Sequence, residues 1–265
     1  MPEQTIFSLS AIVALVPSSL LPLRKDHSRD MIFWLVLAVA VAGPVNRVLA
    51  SMAGSWRTDL STTLWVTVAA TMAVFAFITI LTRETWRLTP LISAYMAVLG
   101  ILAAVWSQAP REPLAAASGG WIGVHITVSV TTYALVTIAA VAALAAFLQE
   151  RALKRKRPTS LTRLLPSVAD CEWLLVRLLL LGEIVLALGL VSGMALQYGE
   201  TGTLFVLDHK TILTITAFAV IGGLLIAHFK TGLRGRKAAR IVLLAYLLLT
   251  LGYPGVKFVT DVILA

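Results

Sequence analysis

The stretch Trp121–Glu150, WIGVHITVSVTTYALVTIAAVAALAAFLQE, decides the fold of this 265-residue chain. It carries no charged side chain before its last residue, and at a rise of about 1.5 Å per residue it can cross a bilayer. His125, Ser129 and Tyr133 recur every four positions, so they lie on one face of the predicted helix. An imidazole in a lipid-spanning helix needs a polar partner, a proton path or a metal. What His125 faces is therefore the central question of this sequence.

The composition indicates a membrane protein. Hydrophobic residues make up 58% of the chain and charged residues 13%, whereas soluble domains carry about 25% charged residues. The basic residues that give the chain its net charge of +9 lie mostly between the apolar runs. This distribution favours the lipid bilayer as the partner and argues against nucleic acid. The single cysteine, Cys171, excludes an internal disulfide and a CxxCH site for covalent haem attachment. The first apolar run lacks a basic segment before it, so it reads as a retained helix and not as a cleaved signal.

The apolar runs predict an all-α polytopic membrane protein with eight transmembrane helices in a single domain, 1–265. The predicted spans are 6–23, 31–49, 61–81, 88–107, 121–148, 174–197, 209–229 and 241–262.

Charge distribution predicts the orientation of these spans. Most of the 22 Lys and Arg residues follow odd-numbered spans, with the largest clusters at 151–163 and 230–240. The positive-inside rule then places both termini outside and the two basic loops in the cytoplasm. His125 and His209 would lie near the outer face, and His228 and His27 near the inner face.

His125 has two interpretations. It can be a structural imidazole that is hydrogen-bonded to a neighbouring helix, as polar residues in membrane helices often are. It can instead be an axial haem ligand near the outer surface, with its second ring nitrogen donating to an acceptor.

The sequence Asp208-His209-Lys210 opens the seventh span. Asp208 is typical of a helix N-cap, which explains this residue without any ligand. Alternatively, a haem propionate could bind at the helix N-terminus and Lys210. His209 could then serve as a second outer ligand.

His228 stands before the basic run FKTGLRGRKAAR. This pattern is typical of a helix C-terminus whose cations attract anionic lipid headgroups. The functional alternative is an inner-face ligand for haem, with arginines neutralising the propionates. His27, in a short polar loop, is either simply solvated or the partner of His228.

Glu183 lies deep inside the sixth span. It must be protonated, paired across helices or part of a polar cavity. On the same span, Gly182, Gly189 and Gly193 form a stripe of small residues that would let another helix approach closely.

Several segments resemble the cytochrome c assembly superfamily, the CcsA/CcmC/CcmF-type haem-handling membrane proteins. WIGVHITVSVTTYALV resembles the family helix W-L-x-x-H-V…S-Y-A-x-L, and the next span ends in the family's S-G step. LIAHFKTGLRGRKAAR resembles the basic loop of the family, and LGYPGVKFV its final helix. The similarity covers 121–262 and is greatest to the short eight-helix branch of the YpjD and HemX type.

The resemblance implies a role for each matched residue. His125 matches the outer haem histidine of the family, His228 its inner membrane histidine, and Asp208 and Lys210 the end of its tryptophan-rich signature. The tryptophans of that signature are missing from GTLFVLDHK, where His209 replaces the usual proline. The second outer histidine is also absent from the region around Leu264.

The resemblance implies a non-enzymatic protein of the bacterial inner membrane. It would bind haem b non-covalently, with metal ligands His125 and His228, and support cytochrome c biogenesis beside other maturation proteins. Two alternatives remain open. The chain could be a scaffold or regulatory subunit that kept the fold and lost haem, as the missing residues would allow. It could also be a small-solute transporter that uses Glu183.

Overall fold

The computed structural model describes residues 2–21, 28–52, 59–107, 120–203 and 208–263. Within these ranges every regular element is helical, which confirms the predicted all-α class. The helices are α1 (Pro2–Ser19), α2 (Met31–Met52), α3 (Leu60–Leu81), α4 (Thr89–Val105), α5 (Gly120–Arg155), α6 (Ser160–Leu164), α7 (Val168–Thr201), α8 (His209–Thr231) and α9 (Gly235–Thr250). A 3-10 turn, Thr85–Leu88, precedes α4. Beyond α9 the chain continues helically with wider π turns at Leu251–Gly255 and Val259–Ile263.

Seven helical segments in the described ranges are long and apolar enough to cross a membrane. They correspond to the second to eighth predicted spans and confirm a polytopic membrane protein. The first predicted span corresponds to α1, whose apolar part, Thr5–Ser19, is shorter than the others. The count of eight and the placement of both termini outside therefore stay predictions.

Polar caps set the helix ends more than hydropathy does. α7 begins at Val168, ahead of the predicted boundary at 174, because the Ser167 hydroxyl accepts a hydrogen bond from the Asp170 amide. α7 and α8 end at Gly202 and Gly232, which take left-handed conformations with φ of 71° and 69°. Glycine adopts this conformation without a steric penalty from Cβ.

α5 is the central helix of the fold. It packs against α3, α7 and α9, and its middle section, 132–143, is buried. The small-residue stripe on α7 faces it: a Cβ at Gly182 would lie 3.3 Å from Val136, and a Cβ at Gly189 would lie 3.5 Å from Val128. The predicted close helix approach is therefore confirmed.

The two ends of the bundle differ in chemistry. We call the end that carries His125 and Asp208 the cavity end, and the opposite end, with 151–163 and 230–240, the basic end. An ion pair of 3.3 Å joins Arg236, in the second of these segments, to Glu150, the residue just before the first. Both therefore lie at the same end of the bundle, as the charge distribution predicts.

Candidate functional site

The cavity end contains a partly open cavity of about 390 Å³. Ligand pockets in proteins typically measure about 300–1,000 Å³. α3, α5, α7, α8 and the turn after α9 contribute to the walls. The polar lining residues are Thr67, His125, Ser129, Thr132, Tyr133, Gln197, Asp208, Lys210, Thr211, Thr214 and Tyr253. Leucine, isoleucine, valine, methionine and glycine complete the walls.

The predicted polar face of α5 lines this cavity. His125, Ser129 and Tyr133 all contribute to its wall, as their four-residue spacing indicates. The imidazole of His125 packs directly on α7, where a Cβ at Gly193 would lie 3.0 Å from its Cε1. Glycine at this position is what lets the ring fit between the two helices.

The hydrogen bonds around Ser192 favour one tautomer of His125. Its Nδ1 lies 2.9 Å from Ser192 Oγ, and the Ser192 hydroxyl donates in turn to the Gly189 carbonyl at 3.0 Å. Because the only hydroxyl proton of Ser192 is used, Ser192 Oγ accepts from Nδ1–H of the imidazole. Nε2 of a neutral His125 therefore carries a free lone pair. This is the arrangement in which a histidine binds a metal, with its other nitrogen donating to an acceptor.

A hydroxyl network continues behind the cavity. The Tyr133 hydroxyl lies 3.0 Å from those of Tyr246 and Thr250, and Tyr246 is bonded in turn to Tyr95. This network joins α4, α5 and the α9 region. The phenol of Tyr133 is thus held in place at the cavity wall by two partners.

The start of α8 places Asp208 and Lys210 at the cavity. Asp208 Oδ1 accepts a hydrogen bond from the Thr211 amide at 2.7 Å, so the predicted N-cap is confirmed. Partial burial alone would raise the pKa of Asp208. The bonds from Thr211 and the nearby Lys210 and His209 outweigh it and hold the pKa below its ordinary value. Because Asp208 already occupies the helix terminus, Lys210 is the group that could neutralise an anion.

His209 does not share this arrangement. It is exposed at the first position of α8 and does not line the cavity, whereas its neighbours on both sides do. The structure thus brings together His125, Asp208 and Lys210, and leaves His209 outside the set.

His228 lies at the basic end, in the last turn of α8. Its Nδ1 lies 3.0 Å from the carbonyl oxygen of Leu233, which can only accept, so Nδ1 carries the proton. Its ring is half-buried and meets Phe229 edge to face. As for His125, no hydrogen-bond partner of its Nε2 lies among the described residues. His27, its predicted alternative partner, lies outside the described residues.

Glu183 does not line the cavity. It lies between α7 and α8, where a Cβ at Gly222 would come within 2.9 Å of its Oε1. Its Oε2 is buried and has no hydrogen-bond partner among the described residues. Of the three arrangements that its sequence position allows, the described residues therefore provide neither a place in the cavity nor a hydrogen-bonded partner for Oε2 on another helix.

The described residues contain no cluster of three or more His, Cys, Asp or Glu side chains that could hold a bare metal ion. A porphyrin supplies four nitrogen ligands itself and requires only one or two from the protein. Isolated histidines such as His125 and His228 fit that requirement.

Sequence reasoning missed two residues of this site, Ser192 and Met194. Both flank Gly193 on α7: Ser192 is hydrogen-bonded to His125, and Met194 lines the same cavity as His125. The signal available was the small-residue step at Ser192–Gly193, which marks a close helix contact without saying which side chain it meets.

Comparisons with known proteins point to one family. The sequence profile of the family described as "Cytochrome C assembly protein" matches residues 26–264. A protein of Azospirillum brasilense, described as "Uncharacterized 28.8 kDa protein in nifR3-like 5'region", is 53% identical over 270 residues, which cover 100% of both chains.

More distant relatives agree with this match. Inner membrane protein YpjD of Escherichia coli K12 is 28% identical over 180 residues, covering 67% of this chain and 66% of YpjD. Protein HemX of Brevibacillus brevis is 26% identical over 163 residues, covering 60% of each chain. No solved structure matches. With the family profile spanning most of its length, this polytopic membrane chain belongs to the cytochrome c assembly protein family.

Proposed function

We propose that this protein holds haem b non-covalently in the cavity, through His125, in support of cytochrome c biogenesis in the bacterial inner membrane. It binds and positions its ligand and makes no covalent bond, so it is not an enzyme. The observation that carries the proposal is the state of His125: Nδ1 is held by Ser192, and Nε2 is free at the wall of a cavity. Family membership supports the biological context.

The cavity residues fit the chemistry of haem. When bound, haem supplies an iron that changes between ferric and ferrous states and takes axial ligands from the protein. His125 would give Nε2 to that iron, while Ser192 fixes the ring orientation. Lys210 would neutralise a propionate, and the apolar wall, which includes Leu186 and Leu190, would contact the macrocycle.

The proposal also assigns a ligand role to His228 at the basic end. Its Nδ1 proton is held by the Leu233 carbonyl, so Nε2 is available there as well. The cations of the last turn of α8 and of the following loop could neutralise propionates. A second ligand at this end would come from His27 or from another maturation protein of the same membrane.

The direct test is haem binding by detergent-purified protein, followed through the Soret band. His125→Ala should lose most of the band, whereas His209→Ala should keep it, because His209 is one residue from the cavity lining and not part of it. His228→Ala should leave the His125-dependent component unchanged. Equal spectra for wild type and His125→Ala would refute the assignment.

Ser192→Ala refines the test. Removal of a residue that orients a metal-bound histidine typically costs about 10–100-fold in affinity. We expect an intermediate loss of haem affinity, between those of wild type and His125→Ala, in titrations with hemin. An unchanged affinity would mean that Ser192 does not orient the ligating ring.

A further inference from the structure

The cavity wall carries, besides His125, another side chain of a kind that can bind haem iron, the thioether of Met194. This side chain is half-buried on α7, one residue after the glycine on which His125 packs. Methionine is an axial ligand of haem in proteins that pair it with histidine. His209 is the second outer ligand that the sequence suggests, and it lies outside the cavity lining.

The orientation of the His125 ring favours Met194. The ring sits across Gly193: a Cβ there would lie 3.0 Å from Cε1, 3.6 Å from Nδ1 and 3.8 Å from Nε2. Nδ1 is directed to Ser192, the residue before Gly193. Successive residues of a helix are rotated by about 100°, so Ser192 and Met194 lie on opposite sides of Gly193. Nε2, on the other edge of the ring from Nδ1, therefore faces the Met194 side.

Several other polar side chains of the cavity wall are already hydrogen-bonded or carry a positive charge. The Tyr133 hydroxyl is bonded to Tyr246 and Thr250, and Thr214 donates to the Lys210 carbonyl. The amide nitrogen of Gln197 donates to Thr201. Lys210 is a cation suited to a carboxylate. The thioether of Met194 needs no proton to leave before it binds iron.

We infer that Met194 is the second axial ligand of the iron that His125 binds, which makes the cavity a His/Met haem site. This inference rests on the proposed function. Methionine opposite histidine raises the reduction potential of haem. The site would then stabilise ferrous haem in this cavity.

The test uses full-length protein loaded with haem and compares wild type, Met194→Leu and Met194→His. Leucine preserves the apolar volume and removes the sulfur. We expect Met194→Leu to lose the sulfur-to-iron charge-transfer band, to convert low-spin to high-spin haem and to lower the midpoint potential. Met194→His should restore low-spin haem at a potential below that of wild type. The control is Met31→Leu, which replaces an exposed methionine at the start of α2. Its spin state and midpoint potential should match those of wild type.

The outcomes separate the two proposals. If wild type binds haem through His125 and Met194→Leu leaves spin state and potential unchanged, the Met194 assignment is overturned while the proposed function stands. If wild type shows no Soret band that depends on His125, both fail. If Met194→Leu does not fold, Met194→His decides the question. The assignment of Met194 predicts that Met194→His has a lower midpoint potential than wild type and lacks the sulfur-to-iron band. A spectrum equal to that of wild type would overturn the assignment.

Discussion

The cavity end and the basic end of the bundle each present a histidine with a free Nε2, but their surroundings are built differently. At the cavity end the imidazole lies between two helices, beside a space lined by polar and apolar side chains. At the basic end, side chains tie the connecting segments together. The amide nitrogen of Gln149 donates to the carbonyls of Thr162, Leu165 and Pro166, at 2.8 to 3.0 Å.

Further ties strengthen the basic end. Glu172 accepts the backbone amide of Gly235 at 2.9 Å, and Glu150 pairs with Arg236. Arg177 stacks over Trp173 with its guanidinium 3.9 Å from the ring centre. The two histidines therefore have similar hydrogen bonds but different surroundings. His125 lies at the wall of a cavity, whereas His228 lies among loops that carry many cations and are tied to the helices by hydrogen bonds. Variants of the residues that hold His125 should therefore change binding, and variants of the side chains that tie the basic segments together should change stability.

The largest effect is expected from Gly193→Leu at the cavity end. Its Cβ would lie 3.0 Å from His125 Cε1, and the rest of the leucine would displace the ring from its place on α7. We expect a loss of at least about ten-fold in haem affinity, as for other disruptions of ligand orientation. The control is Gly199→Leu on the same helix, where nothing lies within 4 Å of the added Cβ. Similar affinities for both variants would contradict the close fit of His125 against α7.

At the basic end, Gln149→Leu tests stability. It leaves three carbonyl oxygens without their shared donor, and an unsatisfied buried polar group costs about 1–3 kcal/mol. The apparent midpoint of thermal unfolding in detergent should fall, while the Soret band at matched folded protein stays unchanged. Gln197→Leu is the control for stability, because its amide meets only an exposed threonine. A loss of haem binding in Gln149→Leu would contradict the expectation that this residue contributes to stability and not to haem binding.

Much of the fold could be predicted from the sequence because lipid solvent imposes simple rules. Runs of apolar residues located the seven long helices, and the charge of the loops placed both basic segments at one end. Hydropathy did not locate the start of α7, since charged and polar residues such as Asp170 can extend a helix beyond the apolar run.

The site was harder to predict, because it depends on distances between helices. The four-residue spacing of His125, Ser129 and Tyr133 placed them on one face, and the structure confirms that all three line the cavity. Helical periodicity within α5 cannot indicate that Ser192 meets the imidazole of His125 or that Met194 lines the same cavity. Both depend on how α5 packs against α7, where Val128 and His125 lie against Gly189 and Gly193.

The smallest effect is expected from Asp208→Ala, which removes the N-cap of α8 at the cavity end. Loss of such a cap costs about 1 kcal/mol, so thermal stability at neutral pH should fall modestly, by less than in Gln149→Leu. Asp208→Asn should retain most of this stability, because asparagine also caps helices well.

The pH dependence distinguishes the charge of Asp208 from its hydrogen bond. Its pKa is lower in the folded protein than in the unfolded chain, so its ionised form stabilises the fold above the unfolded pKa of about 3.9. That contribution is constant from the unfolded pKa up to neutral pH, falls as the pH drops below the unfolded pKa, and is lost once the pH has passed the lower folded pKa. Wild type should therefore lose part of its advantage over Asp208→Asn on acidification below about pH 4, measured as the difference between their unfolding midpoints. A difference that instead changes between pH 5 and 7 would contradict the assignment of this pH dependence to Asp208.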